Sequence, residues 1–302
     1  MQIRNWFFLV LCLCVTQSYR VNAQHSTAAE PVYIPPTSQE GWKVTSEDTR
    51  GAFSVEEIYL HPGTEPASYK ESQEDRGFYI LAGHYEFSID DRIISASTGA
   101  FLFVPGGVLH SYKNAGTTVS RHLQYGVRVQ QDKQDRVATS VPVFIPPTSQ
   151  DGPLTEVGKN RKGGWKLTAG DTRGAFSIVE TLVQPGMGPG PHRHSMEDEG
   201  FYVLEGQEEY RVGDRVISAS AGSFIFAPRG IPHAYKNAGT TPSRHITIIA
   251  PAGFKRFLDE RNALRKELSA TDPAYPGRLK ALTDKYGLEY NADWAFPPVA
   301  EE

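Results

Sequence analysis

Gly186-Met-Gly-Pro-Gly-Pro-His192-Arg-His194-Ser-Met-Glu197-Asp-Glu199-Gly-Phe201-Tyr-Val203-Leu-Glu205-Gly206 carries more structural information than any other part of the chain. A second stretch completes it: Gly222-Ser-Phe224-Ile-Phe226-Ala-Pro228-Arg229-Gly230-Ile-Pro-His233-Ala-Tyr235-Lys-Asn237. His192 and His194 are one residue apart, so on a strand both imidazoles point to one side. Glu199 lies beyond a short turn and can start the neighbouring strand. His233 comes from a later strand, fed by a turn that Pro228 and Gly230 suit, and Asn237 can reach back to lock a loop. A closed barrel brings such positions together in its interior. Three imidazoles and a carboxylate suit a first-row divalent ion: Fe, Mn, Ni or Cu, with Zn or Co also accommodated. Glu197 competes with Glu199 as the acidic ligand; the alternative for it is a supporting or substrate-facing role.

Working outward, the chain repeats itself. Asp48-Thr-Arg-Gly-Ala-Phe-Ser54 returns as Asp171-Thr-Arg-Gly-Ala-Phe-Ser177, and Tyr112-Lys-Asn-Ala-Gly-Thr-Thr118 as Tyr235-Lys-Asn-Ala-Gly-Thr-Thr241, both at an offset of 123. Upstream, Pro31-Val-Tyr-Ile-Pro-Pro-Thr-Ser-Gln39 returns as Pro142-Val-Phe-Ile-Pro-Pro-Thr-Ser-Gln150 at an offset of 111, which leaves a 12-residue insertion within residues 152–163. Rich in Gly and Lys/Arg, that insertion reads as a surface loop. Two copies of this length are duplicated domains rather than a solenoid. Each reads as all-β: short β-branched and aromatic runs, such as 200–204, 210–212, 215–218 and 224–227, separated by Gly, Pro and Asp.

Those residues name a resemblance. Gly186-x5-His192-x-His194-x4-Glu199-x6-Gly206 and Gly222-x5-Pro228-x-Gly230-x2-His233-x3-Asn237 resemble the first and second motifs of the cupin superfamily at every fixed position. The resemblance implies two cupin barrels of the double-stranded β-helix, or jelly-roll, type: an N-terminal one over 31–135 and a C-terminal one over 142–250. It also implies a metal held by His192, His194, Glu199 and His233, with Glu199 the catalytic carboxylate. The Asp-Thr-Arg-Gly-Ala-Phe-Ser segment, and Pro251-Ala-Gly-Phe-Lys-Arg-Phe after the second motif, resemble the quercetin 2,3-dioxygenase-like branch. That branch implies a dioxygenase that joins O2 to an enolic, phenolic or flavonol-like substrate. Two other readings stay open: a non-redox isomerase, lyase or decarboxylase with Glu197, Glu205 or Glu208 as base, and a secreted small-molecule or carbohydrate-binding cupin without catalysis.

The first copy departs from the pattern. The offset puts Tyr69 at the position of His192, Glu71 at His194 and Arg76 at Glu199, while His110 keeps the counterpart of His233. An arginine among the ligands repels a dication, so one metal per chain is expected, with Glu71 and Arg76 either paired or reaching solvent. Around the intact set, Phe201, Val203, Phe224, Phe226, Arg229 and Tyr235 are candidates for a substrate pocket. Arg229 or Arg244 is a candidate clamp for a carboxylate.

The remainder sets boundaries. After residue 250, Phe254, Phe257, Leu258, Leu264 and Leu268 follow helical spacing with Pro251 ahead, and a shorter helix is expected over 276–286, so 251–302 reads as a helical extension. Residues 1–23, with Arg4 before an apolar run from Trp6 to Val15, read as a secretory signal peptide, giving a secreted or periplasmic protein with no membrane attachment after cleavage. Cys12 and Cys14 both lie there, which leaves no disulfide, thiolate ligand or cysteine nucleophile beyond it. The formal charge is −4 and becomes −6 without the leader, which removes Arg4 and Arg20 and no acid. This, with no basic cluster, argues against nucleic acid as a partner. The partners expected are a small molecule, with O2 for an oxygenase. The chain is expected to be a monomer acting as its own pseudo-dimer, or a homodimer.

Overall fold

The computed structural model describes residues 29–36, 40–66, 74–128, 141–146, 155–158, 161–294 and 296. The expected leader, Tyr69 and Glu71 lie outside the described residues. The chain forms two antiparallel jelly-roll barrels. The first pairs a six-stranded sheet with the three-stranded sheet of Arg92–Ser97, His84–Ile89 and His110–Asn114. The second pairs a seven-stranded sheet with a five-stranded one, in which Arg215–Ser220, Gln207–Val212, His233–Asn237, His192–His194 and Leu288–Tyr290 lie side by side.

The leading segment of each repeat crosses to the other barrel. Val32–Ile34 pairs with Phe224–Ala227 of the second barrel, and Val143–Ile145 pairs with Phe101–Val104 of the first. This reciprocal exchange ties the barrels together. The larger sheets face each other over one continuous core that includes Phe53, Tyr79, Phe101, Phe103 and Tyr125 from the first barrel and Phe176, Ile178, Tyr202, Phe224, Phe226 and Ile248 from the second.

The repeated Asp-Thr-Arg-Gly-Ala-Phe-Ser segment anchors that interface. Asp171 Oδ2 accepts from the backbone N–H and hydroxyl of Thr168 at 2.8 and 2.7 Å, and Thr172 Oγ1 donates to Phe176 O at 2.5 Å. The first copy repeats the pattern at Thr45, Asp48, Thr49 and Phe53. The turn puts Arg50 and Arg173 in the left-handed region, at φ 56° and 57°. There each reaches the opposite barrel. Arg173 Nη2 donates to both carboxylate oxygens of Asp75 at 2.9 Å, and Arg50 Nη2 lies 3.5 Å from Asp198 Oδ1. The segment that resembles a functional branch thus serves inter-barrel packing.

Within the 152–163 insertion, expected as a surface loop, the described residues are strand. Thr155–Gly158 and Arg161–Leu167 form a hairpin that extends the seven-stranded sheet at its edge. β-Branched Thr155 and Val157 supply strand propensity that the glycines and charges mask. The C-terminal extension forms two helices, α1 (Phe254–Glu267) and α2 (Tyr275–Lys285). α1 starts three residues after Pro251, at an N-cap of Gly253, and Leu268 is its C-cap rather than a helical residue. Phe257, Leu258 and Leu288 form a small buried cluster with Trp165, Phe254, Leu282 and Tyr286 packed against it. The apolar stripes therefore pack within the chain.

Candidate metal centre

Antiparallel pairing assembles the centre. His192 lies directly opposite His233 in the five-stranded sheet. Glu199 comes from Asp198–Glu205 in the facing sheet, where it pairs with Ala227 and Ile249. One donor atom from each of His192, His194, Glu199 and His233 falls within 4.8 Å of every other, and all four side chains are buried. Two donors about 2.1 Å from one ion lie at most about 4.2 Å apart, so the cluster needs to tighten by only about half an ångström.

The hydrogen bonds orient the rings for this. His192 Nδ1 donates to Gly190 O at 2.8 Å and His233 Nδ1 to Ile231 O at 3.2 Å; His194 Nδ1 lies 3.2 Å from Glu197 Oε2. With Nδ1 turned outward to these partners, each ring turns its Nε2 toward the centre. His233 Nε2 stands 2.8 Å from Glu199 Oε2, while His194 Nε2 is buried without a hydrogen-bond partner. A buried orphan nitrogen aimed at a carboxylate and two other imidazoles fits a divalent ion better than an empty core. Burial pushes the Glu199 carboxyl up, but His194 and the hydrogen bond from His233 outweigh it and hold it at about 2. Burial, then His233 and His194, push His192 well below its ordinary value, so it is neutral and ready to ligate. Glu197, the competing acid, faces His194 Nδ1 and is not among the four donors that converge.

The candidate pocket residues divide. Phe201, Val203 and Tyr235 are in the second barrel's interior core. The Phe201 ring is 6.2 Å from His233, and Tyr235 is 4.7 Å from His245, deeper in the barrel. Phe224 and Phe226 do not line the site. The register that puts Ala227 opposite Glu199 and Ile225 opposite Phe201 turns both phenylalanines outward, into the inter-barrel core, where Phe226 packs edge-on against Phe53 at 5.7 Å. Arg229 is engaged as well: its Nε donates to Asp198 Oδ2 at 3.0 Å and its backbone N–H to Asp198 Oδ1 at 2.7 Å. Arg244 is bound to Glu180, through Nε at 3.1 Å, and to Glu205, through Nη1 at 2.6 Å. Both candidate clamps are thus already paired with carboxylates of the chain. Asn237 locks loops as expected, donating to Val183 O and Thr241 O at 2.8 Å each.

Two features were not read from the sequence. Leu288–Tyr290 is added as a strand on the ligand-bearing His192–His194, Tyr290 stacks on His192 at 5.6 Å, and Phe254 meets His194 edge-on at 5.1 Å. Arg193 lies 5.4 Å from the Trp294 ring and pairs with Glu289, so a C-terminal strap covers the centre. Deeper in the barrel, buried Glu208 accepts from Tyr210 at 2.6 Å and Ser243 at 2.7 Å and pairs with His245 at 3.0 Å. At the corresponding place in the first barrel, the Tyr85 hydroxyl lies 2.9 Å from His122 Nδ1. The vestigial first site keeps His110 Nδ1 donating to Val108 O at 2.9 Å, with Arg76 on the strand where Glu199 stands in the second.

The comparisons agree with this architecture. The family model described as "Cupin domain" matches residues 57–123 and again 179–249. A protein named polyketide synthase CurC from Streptomyces cyaneus is 26% identical over 130 residues, 41% of this chain and 83% of that protein. Salicylate 1,2-dioxygenase from Pseudaminobacter salicylatoxidans superposes with a TM-score of 0.58 at 10% identity, over 77% of this chain and 87% of that one. A serine-to-alanine mutant of Bacillus subtilis oxalate decarboxylase OxdC superposes with a TM-score of 0.54 at 14% identity, over 76% and 79%. Identities this low speak for the fold. Two barrels and two matches to the same domain model lead to one statement: the chain carries two cupin domains.

Proposed function

We propose that the protein is a metal-dependent dioxygenase acting on a small enolic, phenolic or flavonol-like substrate. The observation that carries this reading is that Glu199 is the one carboxylate in the cluster of imidazoles, while Glu197, Glu205 and Glu208 each face another side chain. Glu197 is turned to His194, Glu208 is enclosed by Tyr210, Ser243 and His245, and Glu205 lies outside the barrel against Arg244. The three glutamates that a non-redox reaction would call on as base thus each have a partner away from the centre. Two of the fold neighbours, an oxalate decarboxylase and a salicylate dioxygenase, represent the two chemistries; the acid distribution favours the second.

His192, His194, Glu199 and His233 would hold the ion, which when bound supplies electron transfer between an electron-rich substrate and O2. The chain's own part is geometric and electrostatic. Gly190, Ile231 and Glu197 fix the imidazole orientations. Phe201, Phe254 and Tyr290 surround the ligands with apolar surface that excludes water and suits a flat aromatic or enolic molecule. Glu199, held ionised at neutral pH by His194 and the hydrogen bond from His233, would bring the one negative charge to the ion.

Oxygen-electrode assays on protein loaded with Fe, Mn, Ni, Cu, Co or Zn, against a panel of flavonols, hydroxybenzoates and 1,3-diketones, test the reading. The expected result is substrate-dependent oxygen uptake with at least one redox-active ion and none with Zn. Turnover of a panel member without oxygen uptake, equally supported by Zn, overturns it in favour of a non-redox reaction.

A further inference from the structure

The N-terminus of α1 breaks the usual charge rule. A helix start exposes unpaired N–H groups and the positive end of the helix dipole, which Ser, Thr, Asp or Asn normally caps and acidic residues normally offset. Here the N-cap is Gly253, no side chain caps it, and the first turn holds no acid but Lys255 and Arg256. A capping side chain cannot be placed there without displacing Glu197, because a Cβ on Gly253 would meet Glu197 Oε1 at 2.8 Å.

A cavity of about 210 Å³ opens on this helix end, lined by Gly253, Lys255, Arg256, Thr168 and Ser177. Ser177 is the independent clue. Only 1% of it is exposed, it lines the cavity, and its Oγ has no hydrogen-bond partner. Its counterpart in the first barrel, Ser54, has one: its Oγ donates to Gly126 O at 3.5 Å. A buried hydroxyl left unbonded beside two cations and an uncapped helix end calls for an acceptor. Among the neighbouring carboxylates, Asp171 is held by Thr168 and Asp259 by Lys255, while Glu197 turns Oε2 to His194 and leaves Oε1 beside Gly253.

We propose that this cavity is a binding site for a small phosphate-type oxyanion. Such an anion takes the N–H groups of the first turn other than that of Arg256, which donates to Gly253 O, accepts from the Ser177 hydroxyl and is neutralised chiefly by Arg256, since Lys255 already pairs with Asp259. The volume admits phosphate or sulfate with at most a small substituent. The site is separate from the metal ligands and rests on none of them.

Calorimetric titration of the purified protein with inorganic phosphate, and separately with sulfate, at constant ionic strength, before and after chelator treatment, tests this. One saturable site is expected that survives chelation and weakens about tenfold in Arg256→Gln and in Ser177→Ala. Because the hydroxyl is unpaired without a ligand, Ser177→Ala is expected to keep or raise Tm in chloride while losing the phosphate-induced rise. Failure to saturate, affinity unchanged in both variants, or binding that disappears with the metal overturns the proposal.

Discussion

Glu197 and Glu208 show how much one side chain can decide here. Glu197 touches His194 Nδ1 and not the centre, so its removal should loosen the ligand without unfolding the barrel. Glu197→Gln is expected to weaken metal binding about 10- to 100-fold in chelator competition, with an unchanged circular dichroism spectrum. An affinity equal to wild type would remove it from the centre's support. Glu208 gives a pH signature. Burial pushes its carboxyl up, but His245 and the hydrogen bonds from His245, Tyr210 and Ser243 hold it below the ordinary value of 4.5. A group depressed on folding stabilises fully above its unfolded value, and that stabilisation is lost as pH falls through the folded one. Glu208→Gln is therefore expected to cost about 2–3 kcal/mol at pH 7 in urea unfolding, and to show a shallower loss of stability below pH ~4.5 than wild type. Parallel acid limbs in the two proteins would contradict this.

Among the elements, the strap formed by Leu288–Tyr290 matters most, because it closes a centre whose four ligands are all buried. Tyr290 is half-exposed and stacks on His192, so Tyr290→Ala should leave the fold intact. Metal release to excess chelator is expected to quicken by about tenfold, since the stack and its water exclusion go together. An unchanged release rate would mean the strap has no part in access. No pattern announced this strand: three residues after two helices carry no periodicity. The meeting of the four candidate ligands was legible because strand parity and spacing fix it. Phe224 and Phe226 were not, because their strand is buried on both faces, and all four residues of Phe224–Ala227 are apolar and buried. Alternation, the sign of which face is inward, is absent there. The pairing of Arg229 and Arg244 was hidden for another reason: a sequence shows a cation and not the carboxylate, Asp198 or Glu180, that it meets.

For the whole molecule, the duplication was plain in the 123-residue offset, but the exchange of leading strands and the crossing arginines were not, since repeats do not say which copy they pair with. The two crossings are unequal. Asp75 is buried and held by Arg173, whereas Asp198 has Arg229 as well as the more distant Arg50. Arg173→Ala should therefore strand a buried charge and cost about 3 kcal/mol, while Arg50→Ala costs under about 1 kcal/mol. Equal costs in denaturant unfolding would dissolve that asymmetry. The larger asymmetry is chemical: the same fold twice, with a full ligand set only in the second barrel among the described residues. Metal analysis of the purified protein and of its His233→Ala and His110→Ala variants tests this most directly. One ion per chain, lost in His233→Ala and kept in His110→Ala, is the expected result; two ions per chain, or an ion that persists in His233→Ala, would contradict it.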